Sequence, residues 1–255
     1  MSPARRLLLQ AVVLVVVLLS GIALLAQVLE SDPSPVVAAD QSVAGPVLLV
    51  PGYGGATGAL EVLATALRAS GRQASVLPLP GDGTGELAVS VAALDAAVLA
   101  SGAPSVDVIG YSAGGVVARL WAQEHASQAR RVLTLGSPHH GTRVAAVALA
   151  LAPGACPVAC QQLAPDSPVL QALNEDDETP AGPQWLSVWT IQDQTVTPPD
   201  SARLGGGAVN VELQELCPSL QVSHSDLPRN AVVTRIVLDA LSGPAVTAPT
   251  AAVCG

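Results

Sequence analysis

Residues 110–114 read Gly-Tyr-Ser-Ala-Gly, where the apolar run 106–110 gives way to the helical pattern of 113–125. A lone serine between small residues at such a junction has two readings. The glycines can simply let a helix sit close on a strand. They can also permit a turn so sharp that Ser112 is held in a strained backbone conformation with its hydroxyl lifted into a pocket. The following helix would add partial positive charge beneath that hydroxyl. A hydroxyl is a weak nucleophile at neutral pH, so the second reading needs a base, and the base needs an orienting carboxylate.

The strand-turn-helix arrangement expects those partners later in the chain, acid first and histidine second. Of the four histidines, only His224, in Gln-Val-Ser-His-Ser-Asp-Leu-Pro, follows residue 140. His125 falls on the helix after the turn and reads as solvated. His139 and His140, in Gly-Ser-Pro-His-His-Gly-Thr, could line a pocket but precede every candidate acid. Asp193 follows the apolar run 184–191 and is the favoured acid. Asp200 is its rival. Asp226 could instead cap the last helix. Asp176, Asp177 and Glu178 lie in a charged run that reads as a solvated loop.

Acyl transfer develops an oxyanion that two backbone N–H groups should meet. The residue after the nucleophile, Ala113, is one expected donor. The glycine-rich stretch Val-Pro-Gly-Tyr-Gly-Gly at 50–55 should bring the second, from the main chain of Tyr53, because glycine lets backbone approach substrate closely. A plain glycine-rich turn is the bland alternative. A phosphate cradle is excluded, since the chain has no lysine and no Gly-Lys-Ser/Thr ending.

The elements that must position these groups alternate. Strand patterns at 47–50, 73–79, 106–110 and 130–136 are separated by helical patterns at 58–70, 85–101 and 113–125. Further strands are expected at 184–191 and 208–213, and a closing helix at 226–243 with Pro228 in its first turn. Such alternation predicts an α/β fold, a mostly parallel sheet with helices on both faces. Right-handed crossovers put the strands' carboxyl ends, and hence the functional loops, on one edge. The regularity breaks at 143–184, which is apolar, proline-broken and carries two cysteines. Its apolar part, up to about 174, reads either as a lid or as an extra packing helix pair, and an acidic, polar stretch follows it to 183. The tail 244–255 reads as loosely structured.

Composition bounds the setting. Half of the 255 residues are hydrophobic, phenylalanine is absent, and the net charge is −9. An acidic, lysine-free chain offers no electrostatic footprint for nucleic acid. Arg5 and Arg6 precede an apolar run from 7 to 29. That run exceeds the usual signal-peptide core of ~7–15 residues and reaches the ~20 needed to span a bilayer. Residues 1–30 are therefore expected to be a signal peptide or a signal-anchor helix, with 31–44 a linker and 45–255 the domain. The product is expected to be exported, either extracellular or tethered outside the cytoplasmic membrane. The four cysteines all follow the export segment. Two disulfides are expected, Cys156–Cys160 as a local loop and Cys217–Cys254 as a staple on the tail.

Taken together, Leu-Leu-Val-Pro-Gly-Tyr-Gly-Gly at 48–55, Gly-Tyr-Ser-Ala-Gly-Gly at 110–115, Thr-Leu-Gly-Ser-Pro-His-His-Gly-Thr at 134–142, Ile-Gln-Asp-Gln-Thr-Val-Thr-Pro-Pro at 191–199 and Val-Ser-His-Ser-Asp-Leu-Pro at 222–228 resemble the small secreted bacterial lipases and esterases of the α/β-hydrolase superfamily. The resemblance spans about 45–242. It implies an α/β-hydrolase fold, a Ser112–His224–Asp193 triad, Tyr53 and Ala113 as oxyanion donors, and no cofactor; no metal-ligating residues are assigned. Many of these lipases have His-Gly where this chain has Pro51-Gly52, which leaves backbone donors intact but alters the pocket wall. The expected activity is a serine carboxylic-ester hydrolase on small-molecule or lipid esters, working as a monomer. Membrane contact would come through the N-terminal segment if it stays uncleaved. An envelope acyltransferase with the same triad and a non-catalytic binding protein are the alternatives.

Overall fold

The computed structural model describes residues 2–29 and 37–255. The chain divides into two compact units, Met1–Pro35 and Val36–Gly255. In the first, Pro3–Leu29 form one helix, α1. Much of the apolar run expected to span a membrane lies outside the residues whose side chains are described. Among the described residues no helix is long and apolar enough to cross a membrane. Of the expected linker, 31–36 also lie outside them. Residues 37–44 are irregular yet attached: Ala39 is buried, Gln41 Nε2 donates to the Arg130 carbonyl, and Arg130 donates back to the Gln41 carbonyl. Ordered packing thus begins before Gly45.

The second unit is built on strands β1 (Val47–Val50), β2 (Ala74–Val76), β3 (Val106–Tyr111), β4 (Ala129–Leu135), β5 (Gln184–Trp189) and β6 (Val209–Glu212). They form one sheet in the order β2-β1-β3-β4-β5-β6, and every adjacent pair is parallel. Alternation divides the core. Leu48, Val108 and Val132 face helices α3 (Leu87–Ser101) and α4 (Ala113–Glu124). Val47, Leu49 and Leu133 face α2 (Gly58–Ala69) and α9 (Ala231–Ser242). Successive side chains point to opposite faces, so a strand covered on both faces is apolar throughout, as Val47–Val50 is. The α/β-hydrolase reading of the sequence therefore holds.

The register aligns the carboxyl ends. Val50 lies beside Gly110, Tyr111 beside Leu135, and Leu135 beside Val188. The loops that carry Tyr53, Ser112 and Asp193 consequently leave the sheet from one edge.

Two expectations need correction. The closing helix does not start at 226. Residues His224–Arg229, with Pro228 among them, form a 3-10 stretch, and α9 begins at Ala231. Asn230 caps it, its Oδ1 accepting from the N–H groups of Val232 at 2.9 Å and Val233 at 3.4 Å. Asp226 accepts from Ser223 Oγ instead. The tail is not loose. Val253 is buried, its carbonyl accepts from Arg235 Nε at 2.8 Å, and Cys254 is bonded to Cys217. Cys156 is bonded to Cys160, so both expected disulfides are present.

The segment after β4 forms α5 (Arg143–Leu151), a 3-10 turn, α6 (Val158–Gln162) and α7 (Pro168–Leu173). A further short helix, α8 (Leu213–Leu216), follows β6.

Candidate active site

Ser112 stands between β3 and α4 with φ 54° and ψ −127°. Among the described residues it is the one non-glycine with positive φ. A side chain in that region costs on the order of 1–3 kcal/mol and persists only where its surroundings enforce it. Close packing supplies the enforcement. A Cβ on Gly114 would come within 2.2 Å of the Val50 carbonyl oxygen, and one on Gly110 within 2.3 Å of the Gly115 Cα. The two readings of the glycines are therefore not rivals. The helix sits close on the sheet, and that closeness turns the serine outward.

Ser112 Oγ lies 3.0 Å from His224 Nε2, and His224 Nδ1 lies 2.6 Å from Asp193 Oδ2. A carboxylate only accepts, so Nδ1–H donates to Asp193 and Nε2 is left to accept the serine proton. The other Asp193 oxygen accepts from the N–H groups of Thr195 and Val196, each at 2.8 Å. All three side chains are buried.

The 50–55 loop lies against the serine, since a Cβ on Gly52 would meet Ser112 Cβ at 2.8 Å. Among the described residues the N–H groups of Tyr53 and Ala113 have no intramolecular acceptor. Ala113 opens α4, where backbone donors go unsatisfied by the helix itself.

Several supporting residues escaped the sequence reading. Tyr111 OH donates to the His224 carbonyl at 3.2 Å, and its ring lies 5.1 Å from the imidazole. Burial first, and then the Asp193 charge, push its hydroxyl up to about 12, so it stays a protonated donor at working pH. Thr190 Oγ1 donates to the Val222 carbonyl at 2.9 Å, and Gln192 Oε1 accepts from the Val222 N–H at 2.8 Å. These two bonds pin the acid loop to the histidine loop. Gly136, at φ +57°, leaves room for both, because a Cβ there would stand 3.2 Å from His224 Nδ1 and 3.3 Å from Asp193 Oδ2. Only Gly136 carried a signal, as a glycine directly behind a strand.

The rival residues stand elsewhere. His139 is fully buried with Nε2 3.0 Å from Thr134 Oγ1. Burial, then the Arg119 charge, hold it well below its usual 6.5, so it is a neutral core side chain. His140 pairs with Glu178 at 2.8 Å, which takes Glu178 out of the solvated run expected for it. His125 is not simply solvated either. It stacks on Trp121 and lies 3.0 Å from Asp95. Asp200 is exposed in a 3-10 turn, and Asp226 is half exposed. Among the described residues no group of three or more His, Cys, Asp or Glu side chains converges as a metal site.

Ser112 opens into a cleft of about 260 Å3. Tyr53 and Pro138 line it from the loops after β1 and β4, Ala145 and Ala148 from α5, and Cys160 and Leu163 from around α6. The segment read as a lid or a packing pair is thus a wall of this cleft.

The profile of the family Lipase (class 2) matches residues 92–232, more than half of the chain. A search of curated protein sequences finds no match. Among solved structures, Aspergillus fumigatus lipase B superposes with a TM-score of 0.67 at 18% identity, covering 84% of this chain and 55% of that one. Mature lipase BlEst2 of Bacillus licheniformis gives 0.61 at 18% identity, over 83% and 94% of the two chains. A structure from work on the metagenome-derived lipolytic enzymes LipS and LipT gives 0.60 at 16%, over 80% and 94%. At these identities the likeness is one of fold. The chain spans little more than half the length of the fungal protein.

Proposed function

Given that the chain belongs to the class 2 lipase family, a family of carboxylic-ester hydrolases, we propose that it hydrolyses acyl esters through Ser112, His224 and Asp193. The observation that carries this reading is the unbroken hydrogen-bonded line from a strained serine through an imidazole to a buried carboxylate.

In the reaction, His224 Nε2 takes the Ser112 proton as Oγ attacks the ester carbonyl carbon. The N–H groups of Ala113 and Tyr53 receive the resulting oxyanion. Imidazolium then protonates the departing alcohol, leaving Ser112 acylated. Water, deprotonated by His224, attacks the acyl carbon; the acyl–Oγ bond breaks, the imidazolium returns the proton to Ser112 Oγ, and the acid leaves. Asp193 fixes the tautomer and stabilises the imidazolium without taking the proton. The scheme calls for no cofactor and no metal.

The setting we propose is outside the cytoplasm. Paired Arg5 and Arg6 ahead of an apolar run support export, as do two disulfides of a kind that persists in oxidising compartments. An uncleaved segment would tether the domain to the membrane.

Hydrolysis of p-nitrophenyl esters by wild type beside Ser112→Ala tests the reading. Wild type should turn over short esters, and the variant should fall by about 10^4-fold or more. A wild type inactive on every ester, or a variant as active as wild type, contradicts it.

A further inference from the structure

We infer that the cleft is an acyl-chain site for an uncharged aliphatic chain of about ten carbons, and that Ala145 and Ala148 of α5 set that length. This rests on the ester-hydrolase reading above and deepens it.

Among the described residues no charged side chain lines the cleft. Its polar groups besides Ser112 and Tyr53 are two threonines, and the Thr142 hydroxyl is already engaged, donating to the Thr195 carbonyl at 2.7 Å. Pro138, Val144, Leu163 and Val196 supply branched or ring carbon. An acyl group with a charge or many hydroxyls would lose its hydration there without a partner, a cost that an alkyl chain escapes.

Size follows. An apolar cavity of about 150 Å3 accommodates benzene, six carbons. The same scale gives roughly ten carbons for the cleft's 260 Å3.

The wall is also fixed. Thr142 caps α5, with Oγ1 accepting from the Val144 N–H at 3.3 Å and from the Thr197 N–H at 3.0 Å. The Arg143 N–H reaches the Thr197 carbonyl at 2.8 Å, tying α5 to the acid loop. At the other side Cys160 is bonded to buried Cys156, and the Ala159 N–H donates to the Thr84 carbonyl at 3.1 Å. A wall held at both ends defines a depth. Ala145 and Ala148, one helical turn apart, present a single carbon each where larger residues would fill the space. Leucine at 148 adds three carbons to the wall and should remove room for about three from the chain.

The test is kcat/KM for p-nitrophenyl acetate, butyrate, hexanoate, octanoate, decanoate and palmitate. Each methylene buried should raise kcat/KM about fourfold. In wild type the rise should level off near ten carbons. In Ala148→Leu it should level off near seven, with the decanoate-to-acetate ratio at least tenfold lower. A wild-type profile flat from acetate onward, or an unmoved plateau in the variant, overturns the proposal.

A readout independent of turnover accompanies it. 1-Decanol should raise the melting temperature of Ser112→Ala more than 1-butanol does, and Ala148→Leu in that background should abolish the difference. That result without any ester hydrolysis by wild type keeps the cleft and removes the hydrolase reading. No stabilisation by decanol removes the cleft.

Discussion

A buried polar residue stands at each end of strand β3, Asp107 near its start and Ser112 directly after it, and the two behave differently. At the amino end, Asp107 Oδ2 accepts from Arg72 at 2.5 Å and from Arg130. Arg72 also donates to the Gly45 carbonyl at 2.8 Å and the Leu241 carbonyl at 3.1 Å. Neighbouring Arg131 donates to the carbonyls of Ala240 and Gly243. These guanidiniums stitch the entry of the domain and the end of α9 to the sheet. Five residues on, Ser112 points its hydroxyl into an open cleft and makes one bond, to an imidazole. Burial of polar groups is common to both ends. What separates chemistry from support is whether the last group in the network faces a carbonyl of the chain or a space that a substrate can enter.

The contrast can be broken at either end. Among changes to the residues around Ser112 and Asp107, the largest effect is expected for Asp193→Asn, which keeps the shape of the acid but lets the imidazole adopt the wrong tautomer. The rate constant for ester hydrolysis should fall on the order of 10^3- to 10^4-fold, with the melting temperature within a few degrees of wild type. A comparable loss of stability would put Asp193 with the stitching residues.

Asp107→Asn should do the reverse. It leaves buried guanidiniums without their counter-charge, which costs about 3–5 kcal/mol. Denaturant unfolding should show that loss, while kcat of the folded fraction stays within about twofold. A large drop in kcat with unchanged stability would end the distinction between the two ends.

The smallest effect concerns His139. The fold holds it neutral, whereas the unfolded chain protonates it near 6.5. Below that pH the unfolded state binds the extra proton. This contribution is therefore complete above about 6.5 and lost as pH falls, by up to about 1.4 kcal/mol per pH unit. Melting temperatures from pH 7.5 to 5 should fall less steeply in His139→Gln. Equal slopes would mean that other groups set the acid limit.

The sequence was informative where local pattern and chemistry coincide. Strand-helix alternation specified the parallel sheet because each element's apolar period is a property of a few neighbouring residues. Ser112 stood out by its glycines, His224 by its position late in the chain, and Asp193 by following a strand. The bonds that hold these groups were hidden. Thr190, Gln192 and Tyr111 act on residues about 30 to 113 positions away, and no periodicity reports such a pairing. The start of α9 was misread because Asp226 with Pro228 and Asn230 are both sound helix openings. A 3-10 turn takes the first pair, which leaves His224 on that turn rather than in a free loop. The tail looked loose because its anchor is a covalent and hydrogen-bonded contact with α9 and the β6–His224 connection, not a pattern of its own.

The most direct measurement is kcat/KM of Ser112→Ala on p-nitrophenyl butyrate, made on protein whose melting temperature matches wild type. A rate near the uncatalysed background, with the fold intact, is expected if Ser112 is the nucleophile. Activity retained within tenfold of wild type would contradict that role, and another nucleophile would have to be found.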